Sequence, residues 1–325
     1  MALLSTADLP KVLADKLGII NLSGRMEEAV GYRVSTGNIA MDLATNGGIP
    51  ARRLTEIFGD FSSGKSRIAC HILAETQKAG GIAVLIDNER SFDTGLASLT
   101  GLDVNSLIYP DPNEKLKTIE DVFAVMLEAV AGLREYSTDS LLTIVWDSVA
   151  ATPGLEDIDN ELGANTAAMR RAKVISDGLK KLMSEVYRYN VCLVFINQIR
   201  DRMNVMFGDT TTTVGGRALK FTSSMRIHCS VTGKLKDEKT KEVNGFTGLF
   251  VVEKCKVGPP FGKVEFEMMT ADPIDRYSGL LDYYERHGVI QKVGSKFSFP
   301  NFKVPFTKKE FPLFYEEWKA AGSVK

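Results

Sequence analysis

The 325-residue chain has few residues of the kinds that build metal centres or disulfide frameworks: four cysteines, three histidines and no C-x-x-C spacing anywhere. Cys70, Cys192, Cys229 and Cys255 stand apart in sequence, as do His71, His228 and His287, which argues against structural zinc and against a disulfide scaffold. The adjacent pair Cys70-His71 reads as a core cysteine beside a partly exposed histidine. No apolar run is long enough to span a membrane. The first residues interrupt their apolar positions with Asp8, Lys11, Asp15 and Lys16, which is not the pattern of a signal peptide, so a cytoplasmic location is expected. Bulk charge of one sign is also missing: the formal net charge is −1, so a polyanion would have to be held by a local patch.

Hydrophobic residues make up 44% of the chain, enough for one large core with small appendages. Near-continuous apolar runs at 54–58, 82–86, 142–146 and 191–196 read as doubly buried parallel strands, with helices at about 66–79, 115–135 and 167–189 crossing between them. After residue 223 the texture changes to alternation, and 225–231, 247–254 and 263–268 read as antiparallel additions on one edge, joined by a polar hairpin at 234–242. The expected class is α/β with a mostly parallel central sheet. Its expected parts are an N-terminal helical segment at 1–34, a core at 35–270 and a small aromatic-cored C-terminal α/β domain at 271–325.

Residues Gly59-Asp60-Phe61-Ser62-Ser63-Gly64-Lys65-Ser66 fill the pattern G-x-x-x-x-G-K-[ST] between a predicted strand and a predicted helix. In that setting backbone N–H groups and the helix N-terminus converge on a polyphosphate, Lys65 supplies a charge to the outer phosphates, and the Ser66 hydroxyl is a ligand for Mg2+. A chance glycine-rich turn rarely carries all these positions between a strand and a helix. ATP and Mg2+ are therefore the expected cofactors, with residues 59–66 and the following Arg67 at the nucleotide.

Three further strand ends carry candidate chemistry. Asp147 closes the 142–146 strand, where a carboxylate can hold magnesium through water or merely cap the strand. Glu89 follows the 82–86 strand and can activate a water against the terminal phosphorus; pairing with Arg90 is the alternative. Gln198 follows the 191–196 strand, placed to hydrogen-bond a terminal phosphate and to pass on its loss to the loop beyond. That loop holds Met203, Val205, Met206 and Phe207, then four threonines and Gly215-Gly216-Arg217. Apolar wedges beside cations and free N–H groups suit a single nucleic-acid strand; a buried loop is the alternative.

Two stretches supply local positive charge. Residues 164–181 hold Arg170, Arg171, Lys173, Lys180 and Lys181 against Asp177 alone, an excess of four. Residues 198–220 hold Arg200, Arg202, Arg217 and Lys220 against Asp201 and Asp209, an excess of two. Each is equally a solvated face. Lys254 and Lys256, two apart on a predicted strand, point the same way, and either protect an edge or reach a neighbour's γ-phosphate.

In order and spacing, residues 34–42, 56–66, 195–200, 205–208 and 215–221 resemble the bacterial RecA recombinase family, with likeness from about 34 to 270. A phage-encoded relative would fit as well as a bacterial one. The resemblance implies an ATPase that forms a helical filament on single-stranded DNA and pairs it with a homologous duplex, with single-strand-binding and loader proteins as partners. By position it implies Glu89 as the group activating water, Gln198 as γ-phosphate sensor, and Lys254 and Lys256 acting across the filament interface. It further implies Asp93 near the adenine and Met203 as a wedge between base triplets, with Ser176, Lys180, Gly215, Gly216 and Arg217 touching the primary strand. The sequence departs from the family at Arg67, where a hydroxyl residue is common, at Leu96, where an aromatic is common, and at Arg90 after the acid. The first DNA loop, resembling 153–168, is one residue longer and lacks a methionine wedge near Thr166 or Ala167. A regulator of another protein's filaments and a hexameric helicase-type motor remain as rival readings, and a small-molecule kinase is the weakest.

Overall fold

The computed structural model describes residues 32–137, 139–159, 167–201, 211–300, 302 and 304–321. Met203, Phe207, residues 1–31 and residues 160–166 of the first expected DNA loop lie outside these described residues. In chain order the strands are β1 (Arg33–Val34), β2 (Ile49–Pro50), β3 (Arg53–Gly59), β4 (Ile82–Asp87), β5 (Leu142–Asp147), β6 (Val191–Asp201), β7 (Thr211–Thr213), β8 (Met225–Lys236), β9 (Val243–Cys255), β10 (Lys263–Met269), β11 (Gln291–Val293) and β12 (Lys296–Ser298). The helices are α1 (Ile39–Ala44), α2 (Lys65–Lys78), α3 (Thr94–Leu99), α4 (Ile119–Tyr136), α5 (Leu155–Asp159), α6 (Ala167–Val186), α7 (Gly216–Thr222), α8 (Leu280–Arg286) and α9 (Phe311–Ala320).

The central sheet runs β10-β9-β8-β3-β6-β5-β4. Strands β4, β5, β6, β3 and β8 are mutually parallel, and β9 and β10 extend the sheet antiparallel. The parallel strands are apolar on both faces because both are covered, so successive residues serve two different cores. Ile57, Val145, Val194, Ile196 and Ile227 pack on the α2 side. Leu54, Ile144, Trp146, Leu193 and Phe195 pack on the side of α4 and α6, with Trp146 edge-on to Phe123 and Phe195 at 5.9 and 5.0 Å.

Several local outcomes differ from the sequence expectation. Helix α4 begins at Ile119 instead of 115 because Thr118 and Asp121 form a reciprocal capping box, each side chain accepting from the other's backbone N–H at 3.1 and 2.9 Å. Strand β8 is parallel to β3, not antiparallel: the chain leaves β6, passes through α7 and re-enters beside β3 in the same direction, and only then does the hairpin into β9 reverse it. Strand β6 runs past the expected end at 196 to Asp201, and the segment expected as a loop contributes β7, with Ile199 opposite Thr213.

The Cys70-His71 pair is also the reverse of the expectation: Cys70 is half-buried while His71 is buried. The backbone N–H of Ile274 donates to His71 Nε2 at 3.0 Å, and Asn38 Nδ2 donates to the carbonyls of Asp275 and Ser278, both at 2.9 Å. These bonds join α1 and α2 to the segment that leads into the C-terminal aromatics. Those aromatics share the core on the α2 side; Phe299 stacks on Trp318 with centroids 4.2 Å apart, and Phe306, Phe311 and Tyr315 complete the cluster. Between Tyr32 and the C-terminus the chain is one compact unit.

Burial, with the nearby Lys78 charge, lowers the His71 pKa to about 4, and the neutral ring is the acceptor for Ile274. Its stabilising contribution is therefore complete above the unfolded value near 6.5 and is lost as pH falls toward 4, amounting to about 3 kcal/mol. Thermal unfolding of the wild type should lose midpoint steeply across that window. His71→Gln, which retains an acceptor without titrating, should show a shallower slope; equal slopes would remove His71 from the account.

Candidate nucleotide site and nucleic-acid face

The turn from β3 into α2 places Gly64 at φ +86°, and a Cβ there would stand 2.7 Å from Met268 Cε, so glycine is required twice over. No side chain caps α2, which leaves its first N–H groups directed into a cavity of about 470 Å³. That volume is of the size that takes a nucleotide. Residues 61–67, Glu89, Asp93, Asp147 and Gln198 all line it. Lys65 Nζ donates to the Asp60 carbonyl at 2.5 Å and lies 3.2 Å from Ser63 Oγ. Burial lowers its pKa, opposed by Cys229, Asp147, Glu89 and Asp60 around it. An incoming phosphate is a better partner for this cation than a carbonyl of its own loop.

Asp147 sits at the end of β5 with Oδ1 buried and without a hydrogen-bond partner. Burial pushes its pKa up to about 7, against a hydrogen bond from Ser66 that lowers it. An orphaned carboxylate oxygen beside a hydroxyl and a polyphosphate cradle fits a divalent cation. Among the described residues no cluster of three or more His, Cys, Asp or Glu is present, so Mg2+ would complete its shell from phosphate oxygens and water.

Glu89 does not use Arg90 as its hydrogen-bond partner. Its Oε1 accepts from Ser148 Oγ and from Gln198 Nε2, both at 2.6 Å. The turn that presents it is fixed by Asp87, whose carboxylate accepts from the N–H groups of Arg90 and Phe92 at 2.8 and 3.0 Å and from the Tyr109 hydroxyl at 3.1 Å. Ser148 and Asp87 were absent from the sequence-based set; both stand beside named residues, but only the tertiary fold gives them partners.

At the other end of the cavity Asp93 caps α3, its Oδ1 accepting from Leu96 N at 2.9 Å, and Leu96 and Met268 contribute apolar surface. Arg67 lines the cavity, but its guanidinium is engaged elsewhere. It donates to the carbonyl of Met269, to Thr270 at 2.8 Å and to Asp272 at 3.1 Å, tying α2 to the end of β10.

The basic face is more neutralised than its charge count. Arg170 pairs with Glu156 at 3.2 Å, Arg171 with Asp157 at 2.5 Å and Lys180 with Asp177 at 3.0 Å. Arg200 and Arg217 are exposed, and Ser176 is half-buried on α6. Gly215 and Gly216, at φ +95° and +64°, press on α6: a Cβ on the first would meet Ile175 Cδ1 at 3.3 Å, one on the second Ala172 Cβ at 3.1 Å. Backbone conformation and close packing thus require the glycine pair whatever else it touches. Lys254 Nζ donates to the carbonyls of Lys220 and Phe221 at 2.6 and 3.2 Å, and Lys256 Nζ to Phe221 at 2.9 Å, so both lysines cap the C-terminal end of α7. Burial and the neighbouring Lys256 lower Lys254 to about 8.

Fold and cavity together define a phosphate-loop nucleotide-binding protein of the α/β class. The family model described as the RecA N-terminal domain matches residues 9–275, starting earlier than the likeness read from the motifs. Protein RecA of Aquifex pyrophilus is 39% identical over 267 residues, 82% of this chain and 73% of that protein. Protein RecA of Rubrobacter xylanophilus is 36% identical over 305 residues, 93% and 84% respectively, and that of Chlorobium chlorochromatii 36% over 292, 87% and 79%. The chain belongs to the RecA family, and its function is ATP-dependent DNA recombination. No helix among the described residues is long and apolar enough to cross a membrane.

Ser148→Ala removes one of the two donors that fix Glu89 and leaves the phosphate cradle untouched. ATP turnover should fall about tenfold with nucleotide affinity unchanged, measured by steady-state kinetics beside calorimetric binding.

Proposed function

We propose that this chain assembles into helical filaments on single-stranded DNA, hydrolyses ATP to ADP and phosphate at its subunit boundaries, and pairs the bound strand with a homologous duplex. The observation that carries the coupling of hydrolysis to DNA is the bond from Gln198 to Glu89, because Gln198 lies on the strand that continues directly into the β6–β7 hairpin. ATP enters with its phosphates on residues 59–66 and its base toward Asp93, Leu96 and Met268. Ser66 and Asp147 would hold Mg2+, which neutralises phosphate charge and polarises the terminal phosphorus. Both donors to Glu89 land on Oε1, leaving Oε2 to take the proton of the water that attacks the γ-phosphorus as the bond to the bridging oxygen of ADP breaks. Gln198 exchanges its bond to Glu89 for one to the γ-phosphate and so reports nucleotide state to the hairpin.

Lys254 and Lys256 would leave the α7 carbonyls to meet the γ-phosphate of a neighbouring subunit, and residues 1–34 would pack on that neighbour. On the DNA side the contacts are Arg200, Met203, Phe207 and Gly215 to Arg217 from the second loop, with Arg170, Arg171, Ser176 and Lys180 from α6. Residues 271–325 would act as a small C-terminal domain on the ATPase core. The natural setting is the cytoplasm, with single-strand-binding and loader proteins as partners.

Turnover should rise sharply with single-stranded DNA and the stimulation should weaken as salt rises, since phosphate contacts release counterions. Glu89→Gln should lose at least about a hundredfold in turnover yet still form nucleotide-bound filaments, and Lys65→Ala should lose both. Turnover that ignores DNA would refute the coupling; unchanged turnover in Glu89→Gln would refute the base.

A further inference from the structure

We infer that Asn197 is a positioning residue, the pivot that holds the root of the β6–β7 hairpin so that a movement of Gln198 becomes a movement of the DNA-contacting loop. The inference rests on the function proposed above and adds to it a residue that touches neither nucleotide nor nucleic acid. Alternation on β6 sends Gln198 to the nucleotide cavity and Asn197 to the opposite face, where it is fully buried. The Asn197 amide spends both hydrogens there: Nδ2 donates to Glu56 Oε1 at 3.0 Å and to the Val214 carbonyl at 2.8 Å. Its Oδ1 accepts from the Gln198 N–H at 3.0 Å, so both ends of the amide are engaged and these partners fix its orientation.

Val214 is the first residue after β7, and the ladder pairs Ile199 with Thr213. The side chain of Asn197 therefore closes the hairpin one step below its last backbone pair. The anchor beneath is rigid. Glu56 lies on β3, fully buried, and its Oε2 accepts from Arg226 Nε at 2.6 Å on the adjacent β8. Arg226 in turn lies 4.2 Å over the Phe58 ring and reaches Glu253 at 3.4 Å, next to Lys254. With its root tied to two central strands, the hairpin can only tilt when Gln198 turns. With the root freed, Gln198 can move and the hairpin need not follow.

Asn197→Ala should bind ATP within about twofold of wild type and keep its DNA-free turnover, while losing about tenfold in stimulation by single-stranded DNA. The readout is the ratio of stimulated to DNA-free turnover, since a general loss of stability would lower both. Full stimulation in the variant would overturn the assignment. Should the single variant not fold, hydrogen exchange on the wild type decides: a non-hydrolysable ATP analogue with Mg2+ should change protection in 211–216 together with 197–201, and silence in 211–216 would contradict the pivot. A wild type that DNA does not stimulate would instead defeat the functional reading and leave the exchange experiment to judge Asn197 alone.

Discussion

The hydrogen bond between Gln198 and Glu89 is the contact on which the rest depends, because it joins the ends of two strands with different duties. Strand β4 presents a carboxylate to the phosphate side, and β6 carries an amide whose backbone runs on into the hairpin. In the function proposed above, a γ-phosphate arriving between them competes with the Glu89 carboxylate for the amide, one charged acceptor exchanging for another. The parallel sheet makes this geometry available: the carboxyl ends of β3, β4, β5 and β6 open on one crevice, so loop, carboxylates and amide converge without any of them being near in sequence.

Electrostatics in this crevice are arranged for a missing partner. Lys65 is buried among acids and rests on a carbonyl of its own loop, and Asp147 has an oxygen with no donor and a pKa pushed up to about 7. Each is an incomplete pairing that a magnesium-bound triphosphate would complete. On the opposite face the Glu56–Arg226 pair is complete and buried, with Asn197 taking the second carboxylate oxygen. The two faces of the sheet thus differ in kind: one holds charge poised for a ligand, the other charge already satisfied and mechanically fixed.

What could be read directly from the sequence was local. The phosphate loop carries its own pattern in eight contiguous residues, and the buried strands announce themselves by unbroken apolar runs, so β3 to β6 lie where expected. The Thr118–Asp121 box was equally local, yet it trimmed the helix expected from periodicity alone. Readings failed where partners are distant. His71 looked like an exposed neighbour of Cys70 because its acceptor role depends on Ile274, 203 residues on. The parallel sense of β8 depends on the passage from β6 through α7, whose sequence from 201 to 216 has no clear period. At Gly215-Gly216, which the sequence assigns to nucleic acid, α6 adds a steric demand of its own. The charge of α6 was overcounted for the same reason, since Glu156 and Asp157 lie on a different helix.

The central claim is that nucleotide held at the boundary between identical chains sets whether the hairpin can grip a polynucleotide. Electron microscopy and light scattering of the purified chain, with single-stranded DNA and a non-hydrolysable ATP analogue with Mg2+, test it most directly. The account predicts long helical filaments that shorten or disperse when ADP replaces the analogue. Monomers under saturating analogue and DNA, or closed rings in place of open filaments, would contradict it.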